Sequence, residues 1–336
     1  MSLLKYKNKA IKGAILLFFI LIFLFPYAAY QGASSGLLLW FLNVLPNLLP
    51  FIIISNLMIR LNIAGQISRF LYPVVGRLFR LSRDGCYPLL LGFLSGIPMG
   101  AKSSADLVKE KRISREEGNF LLSMCNNASP VFIMNYIAVN QLKLPRFRLP
   151  LFVIIYCSSI ISALFFRYIG NRVMKQVQIN KKRGFENSMT LHTTAFSGGP
   201  SHPQSSVRFT FDMVDSSIMN GFEVITRIGG YIILFSILAQ IVNELIPAIG
   251  LLKASFMGIL EITTGINQIC KIPASQNIKI VLAAVLTSFG GFSGMAQTKS
   301  VLGDTGLSIK AYFLVKLFNA FVTLLITWTY VTFLLN

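Results

Sequence analysis

Long apolar runs separated by short basic links divide this chain. Runs at 14–30, 37–59, 119–140, 149–166, 218–246 and 309–335 approach or exceed the roughly 20 residues an α-helix needs to cross a bilayer. Two further runs, 86–96 and 278–289, are too short to cross. Each passes directly into a glycine-rich break and a polar helix: GFLSGIPMGAKSSADLVKEKRIS at 92–114, and TSFGGFSGMAQTKSVLGDTGLS at 287–308. A hydrophobic run that stops halfway predicts a re-entrant or broken helix. Its irregular backbone survives at membrane depth only where protein or a water-filled cavity satisfies it.

The two stretches repeat one design. A shift of about 194 positions lays Gly96 on Gly290, Gly100 on Gly294, Ser104 on Thr298, Glu110 on Asp304 and Ser114 on Ser308. Basic and apolar residues separate on a helical wheel over 60–83, predicting an amphipathic surface helix, and 251–265 resembles it with Gly265 on Gly76. Each half then reads as span, amphipathic helix, short dip, charged helix, span. The crossing at 149–166 turns the second copy upside down. The fold class expected is an all-α polytopic membrane protein with two inverted-topology repeats, each with a re-entrant or broken helix.

In this reading 14–30 crosses outward and 37–59 returns, 119–140 crosses out and 149–166 back. Then 218–246 crosses out, 278–289 dips from outside and 309–335 returns inward, leaving both termini cytoplasmic. The four lysines Lys5, Lys7, Lys9 and Lys12 before the first run fit a retained signal anchor and also a cleavable signal peptide; the run into Pro26 and Tyr27 favours retention. The units expected are 1–36 (anchor and outer loop), 37–170 (first repeat and connecting span), 171–216 (basic linker, polar over 184–206) and 217–336 (second repeat).

Composition agrees. Of 336 residues, 54% are apolar and 13% charged, about half the charge of a soluble domain. The net charge of +19 concentrates in the links, roughly 21 basic residues inside against about 8 outside. That distribution, without a nucleic-acid module, points to anionic lipid or an anionic solute rather than DNA or RNA. Cys86, Cys125, Cys157 and Cys270 are scattered, and His192 and His202 lie in the polar linker. The pattern implies no metal, cofactor or catalytic residues. Nucleotide-loop, HExxH and GxSxG motifs are missing, so a non-enzymatic protein is expected.

The candidate substrate-binding residues cluster at the breaks. In the first, Gly96 and Gly100 permit a sharp turn, Pro98 breaks the helix, and Ser103 or Ser104 is placed to cap the next one. With Lys102 beside that helix start they form a candidate anion site; a solvated turn with Lys102 reaching the interface is the alternative. The second break offers Gly290, Gly291, Ser293, Gly294, Gln297 and Thr298, neutral groups suited to a polar solute. CNNASP places Asn126, Asn127 and Ser129 inside a span, lining a cavity or bonding between helices. Glu261, in ILEITTGINQ, is placed either to couple a cation or proton or to sit inertly at the lipid surface.

LLLWFLNVLPNLLPF, the first break with NNASPVFI, LEITTG, and the second break together resemble the YlbJ (SpoVV) family of sporulation integral membrane proteins, within the group carrying the nucleoside-transporter-like Gate domain. The resemblance spans most of 37–310. It implies transport of dipicolinic acid, a small aromatic dicarboxylate, across a bacterial cell membrane or the outer forespore membrane. The chain has Ile97 and Met99 where the family pattern has tyrosine and threonine, and Gly294 where it has histidine. A non-transporting sporulation scaffold, or a carrier of a nucleoside-like or other polar solute, are the alternatives. Oligomeric state is left open.

Overall fold

The computed structural model describes residues 2–61, 63–185, 209–246 and 250–334, and among these there is no strand. His192, His202 and all of the linker 184–206 beyond residue 185 lie outside the described residues.

The N-terminal apolar run is two helices. α1 (Ser2–Leu24) ends at Phe25, and α2 (Pro26–Leu39) starts on a proline, whose missing N–H suits a first helical position. Lys12–Leu24 and Pro26–Val44 meet at 104°. α2 then continues through a π-helical turn (Trp40–Val44) into α3 (Leu45–Arg60). The outer loop expected after residue 30 is therefore helix, and 26–60 runs as one path. Its partner is the antiparallel α10 (Phe211–Leu245). Gln240 donates to Gln31 at 3.0 Å, Trp40 Nε1 to the Ile225 carbonyl at 2.9 Å, and Arg60 to Ser216 at 2.6 Å. A Cβ on Gly32 or Gly36 would come within 2.6 or 2.9 Å of the α10 backbone. Small residues four apart let membrane helices approach this closely.

Two V-shaped hairpins follow from tight breaks. α6 (Cys86–Ser95) and α7 (Met99–Lys109) meet at Gly96, whose φ is +83°. Their arms touch at Gly92 and Gly100: a Cβ on Gly92 would lie 2.9 Å from the Gly100 Cα. α11 (Leu251–Leu260) and α12 (Ile262–Lys271) are separated by Glu261 alone, which is extended (φ −143°, ψ 118°). Here the crossing glycines are Gly258 and Gly265; a Cβ on Gly265 would lie 2.1 Å from the Gly258 Cα.

Two interrupted spans complete the pattern. α8 (Arg115–Cys125) leads through CNNASP into a π-helix (Phe132–Gln141). α13 (Gln276–Phe289) passes through Gly290, with φ +85°, into α14 (Gly291–Leu302), and Gln276–Leu302 qualifies as one span. The short dip expected at 278–289 is thus the first half of a path long and apolar enough to cross a membrane. The re-entrant element of the second half is instead 251–271, of which 251–265 reads from the sequence as amphipathic.

Side-chain contacts fix the chain directions. α3 ends, and α10 starts, beside Arg60 and Ser216; Tyr87 at the start of α6 bonds Ser55. α9 (Arg148–Phe185) brings Arg167 to the Phe79 and Arg80 carbonyls, and Ser308, before α15 (Ile309–Leu334), bonds Asn119 at 2.8 Å. These ends share an arginine-rich face with α4 (Ile63–Leu71) and α5 (Arg77–Phe79). On the opposite face Gln276 bonds the Leu142 carbonyl at 2.9 Å, and Phe147 packs on Tyr330 at 5.6 Å.

From the arginine-rich face the first hairpin enters and α8 sets out, while α2–α3 and α9 arrive there. From the opposite face the second hairpin enters and α13 sets out, while α10 and α15 arrive. Every element of one half runs opposite to its counterpart, so the repeats are inverted. The register differs from the glycine alignment: hairpin pairs with hairpin, and the CNNASP break with Gly290, laying Asn126 and Asn127 on Gly290 and Gly291 and Ser129 on Ser293. α15 ends on the face opposite the arginines, beside the starts of α9 and α13. The sequence reading placed that end with the basic links because it took 278–289 for a short dip that goes back to its own side.

Candidate functional site

Both hairpin tips and both interrupted spans converge on one cavity of about 260 Å³. The first hairpin contributes Ser95 and Ile97, the second Glu261, Ile262 and Thr263. The breaks contribute Ala128 and Ser129 from one span, and Gly290, Ser293, Gly294 and Gln297 from the other. The π-helix after the first break adds Asn135, Tyr136 and Asn140, and the path 26–60 adds Asn43 and Phe51. Phe132 and Tyr136 stack at 4.9 Å and 17°, giving one wall a flat aromatic surface. Most of the lining is apolar; its polar groups are mainly amides and hydroxyls, with one carboxylate and no basic side chain.

Glu261 owes its place to the second hairpin. It is 3% exposed and caps α12, accepting from the amides of Thr263 (3.2 Å) and Thr264 (2.7 Å) and from both threonine hydroxyls. A carboxylate at a helix start meets the positive end of its dipole. This sets aside an inert place at the lipid surface.

The expected residues divide in two. Ser129, Gly290, Ser293, Gly294, Gln297 and Glu261 line the cavity. The others brace it from behind. Asn126 is buried, accepts from the Ala101 amide at 3.3 Å, and donates to Thr298 at 2.8 Å and the Tyr312 hydroxyl at 3.0 Å. It satisfies an early amide of α7 from across the break, the cap role expected of Ser103 or Ser104. Those serines lie within α7 and bond back to the Met99 and Gly100 carbonyls. Gly100 packs against the Cys125 carbonyl, and Gly291 (φ +66°) against the end of α11. Gly96 and Pro98 form the first tip, where the Ile97 amide donates to the Asn127 carbonyl at 2.7 Å.

Lys102 does not reach the cavity. It is buried, pairs with Asp106 at 2.7 Å and donates to Asn56 at 3.2 Å. The anion site expected at Lys102 is therefore not formed there: the lysine lies one turn along α7 and its charge is answered by its own helix. Other basic residues gather at the far ends of α7 and α14, where Lys109, Lys111, Arg112, Arg115, Asp106 and Asp304 line a wider cleft of about 880 Å³. There Arg112 grips Asp84 through two bonds of 2.9 and 3.1 Å, tying the base of the first hairpin together. Burial opposes the Arg112 charge, but Asp84 and Glu110 outweigh it and hold its pKa above the ordinary arginine range.

Sequence reading missed Asn43, Asn135, Tyr136 and Asn140 on the cavity, and Asn56, Tyr312 and Lys316 behind it. A polar residue within a membrane run is the signal that could have found Asn43, Asn135, Asn140 and Lys316. Removing the central brace tests its weight. Asn126→Ala leaves the Ala101 amide without its acceptor and is expected to cost about 2 kcal/mol, read as a lower apparent Tm in detergent; an unchanged Tm would mean the network holds nothing.

The chain is 27% identical over 313 residues to the sporulation integral membrane protein YlbJ of Bacillus subtilis, covering 87% of this chain and 75% of that protein. The resemblance to the YlbJ family therefore holds over most of the sequence. No family profile matches the chain, and no solved structure matches it.

Proposed function

We propose that the chain is a secondary-type membrane transporter acting in spore formation, with dipicolinate as its solute. The observation that carries the transport reading is a cavity with amides, hydroxyls and one carboxylate among its apolar lining, flanked by two hairpin tips that enter from opposite faces. Tilting either hairpin would open that cavity to one face at a time, the alternating access that inverted repeats support. The arginine-rich face is the cytoplasmic one under the positive-inside rule. The stacked Phe132 and Tyr136 offer a surface to a planar ring, and the cationic cleft beyond α7 and α14 would concentrate an anion at that face. The dipicolinate assignment itself comes from the family resemblance, as does the membrane around the forespore.

One observation favours a second reading. The lining carries Glu261 and amides without a basic side chain, which suits a neutral polar ring solute such as a nucleoside. Proteoliposomes holding the full chain, offered labelled dipicolinate and labelled uridine, separate the two. Saturable dipicolinate uptake that unlabelled dipicolinate abolishes and uridine does not is the expected result. The reverse pattern selects the nucleoside-like reading, and flux of neither above protein-free vesicles removes transport of both.

A further inference from the structure

Lys316 lies inside α15, 1% exposed, and its surroundings do not answer its charge. Its Nζ donates to Asn127 Oδ1 at 2.8 Å and lies 5.6 Å from the centre of the Tyr312 ring. Among the described residues, every ion pair is made elsewhere. The elements packed on α15 supply little else that titrates. α8 presents Cys125, with Arg115, Glu116 and Glu117 at its far end. Between Arg148 and Arg167, α9 has only Tyr156 and Cys157. α13 has Lys279 near its start, α14 has Lys299, and α15 itself has Lys310 and Tyr330 besides Tyr312. An ammonium taken out of water without a carboxylate is costly, and ionisable groups inside membrane spans mark ion or proton routes.

A second observation is independent of the first. Tyr312, Lys316, Asn319, Thr323 and Thr327 stand four, three, four and four residues apart, on one face of α15, each 2% exposed or less. The row covers about 22 Å of helix, most of the roughly 30 Å hydrocarbon core. It keeps unused bonding capacity, since Asn319 Oδ1 and Thr327 Oγ1 have no hydrogen-bond partner. Buried oxygens with open capacity are where water can be held. The row leads from Lys316 toward the face where α15 ends.

We propose that Lys316 is the proton-binding site of this transporter, taking one proton from water along the Asn319–Thr327 row and returning it to water in each cycle. No bond other than N–H forms or breaks. The proposal rests on the transport reading and deepens it. Lys316 sits directly behind the cavity wall, because its partner Asn127 precedes Ala128 and Ser129, which line it. Protonated, it supplies the positive charge that the lining lacks when an anion enters; deprotonated, it lets that anion leave.

Two measurements on the full chain decide this. The first needs no solute: apparent Tm in detergent from pH 5.5 to 9.5 for wild type, Lys316→Gln and Lys316→Arg. One proton exchanged on unfolding changes the unfolding constant about tenfold per pH unit. The wild-type profile should contain an inflection that Lys316→Gln loses; profiles that superimpose after a vertical shift overturn the proposal, since a merely structural lysine moves only the level. The second uses proteoliposomes with labelled dipicolinate. Lys316→Gln, which loses the charge, and Lys316→Arg, which keeps the charge but does not titrate in this range, should each lose at least tenfold in accumulation driven by a pH gradient; equal gradient-driven accumulation in either overturns the proposal. A wild type with no flux at all sinks the transport reading instead, and the Tm profiles then judge the proton site alone.

Discussion

Gly265→Ala is expected to be among the most damaging single substitutions in this protein. The added Cβ would lie 2.1 Å from the Gly258 Cα and 2.2 Å from its nitrogen. Both are backbone atoms, so no side-chain rotation relieves the clash and the two arms of the second hairpin must separate. Overpacking of this kind costs about 3 kcal/mol, here on the element that carries Glu261. The apparent Tm in detergent should fall by roughly 5–10 °C, with flux abolished. Gly230→Ala provides the contrast, because nothing lies within 4 Å of the added atom. It should hold or slightly raise the Tm through better helix propensity. Equal behaviour of the two variants would remove the crossing glycines from the account of the hairpins.

Glu261→Ala is expected to act at the same tip by a different route. It strips the acceptor from two backbone amides and two hydroxyls at the start of α12. Loss of a cap costs about 1–2 kcal/mol, and each buried donor left unsatisfied adds about 1 kcal/mol or more. The tip should fray into the cavity it closes, with flux down at least tenfold and the Tm down by several degrees. Glu261→Gln keeps an acceptor oxygen without the charge and separates capping from coupling. It should retain at least half the wild-type flux. A Gln variant as inactive as the Ala variant, though folded, would assign the carboxylate charge itself to the transport cycle and count against a role confined to capping.

Much of the architecture was legible because membrane helices are written in long apolar runs that little else produces. The spans at 149–166 and 218–246, the entry and return of the first hairpin, and the presence of both breaks all follow from run length and glycine content. The α1–α2 bend and the unbroken path from Pro26 to Arg60 do not. Gln31 and the small residues around it read as an exposed loop until Gln240 and the closely packed α10 backbone give them partners. Glu261 misled for a related reason. A glutamate and two threonines beside lysine-poor apolar sequence look like a surface helix, and only the cap they form around one another shows that the chain reverses there.

The sequence by itself determined that this is a polytopic helical membrane protein whose spans are interrupted at glycine, proline and asparagine. Local steric and solvation rules suffice for that, since they act residue by residue. Only the tertiary structure decided that 251–271 is the hairpin opposing 86–109 and that 276–302 forms one path long and apolar enough to cross a membrane. It also decided that Asn126 braces α7 and that Lys102 spends its charge on Asp106. Those outcomes depend on which residues meet in space, at separations from 4 positions for Lys102 and Asp106 to 172 for Asn126 and Thr298, and a glycine that lets two helices touch looks, in sequence, the same as one that lets a single helix bend.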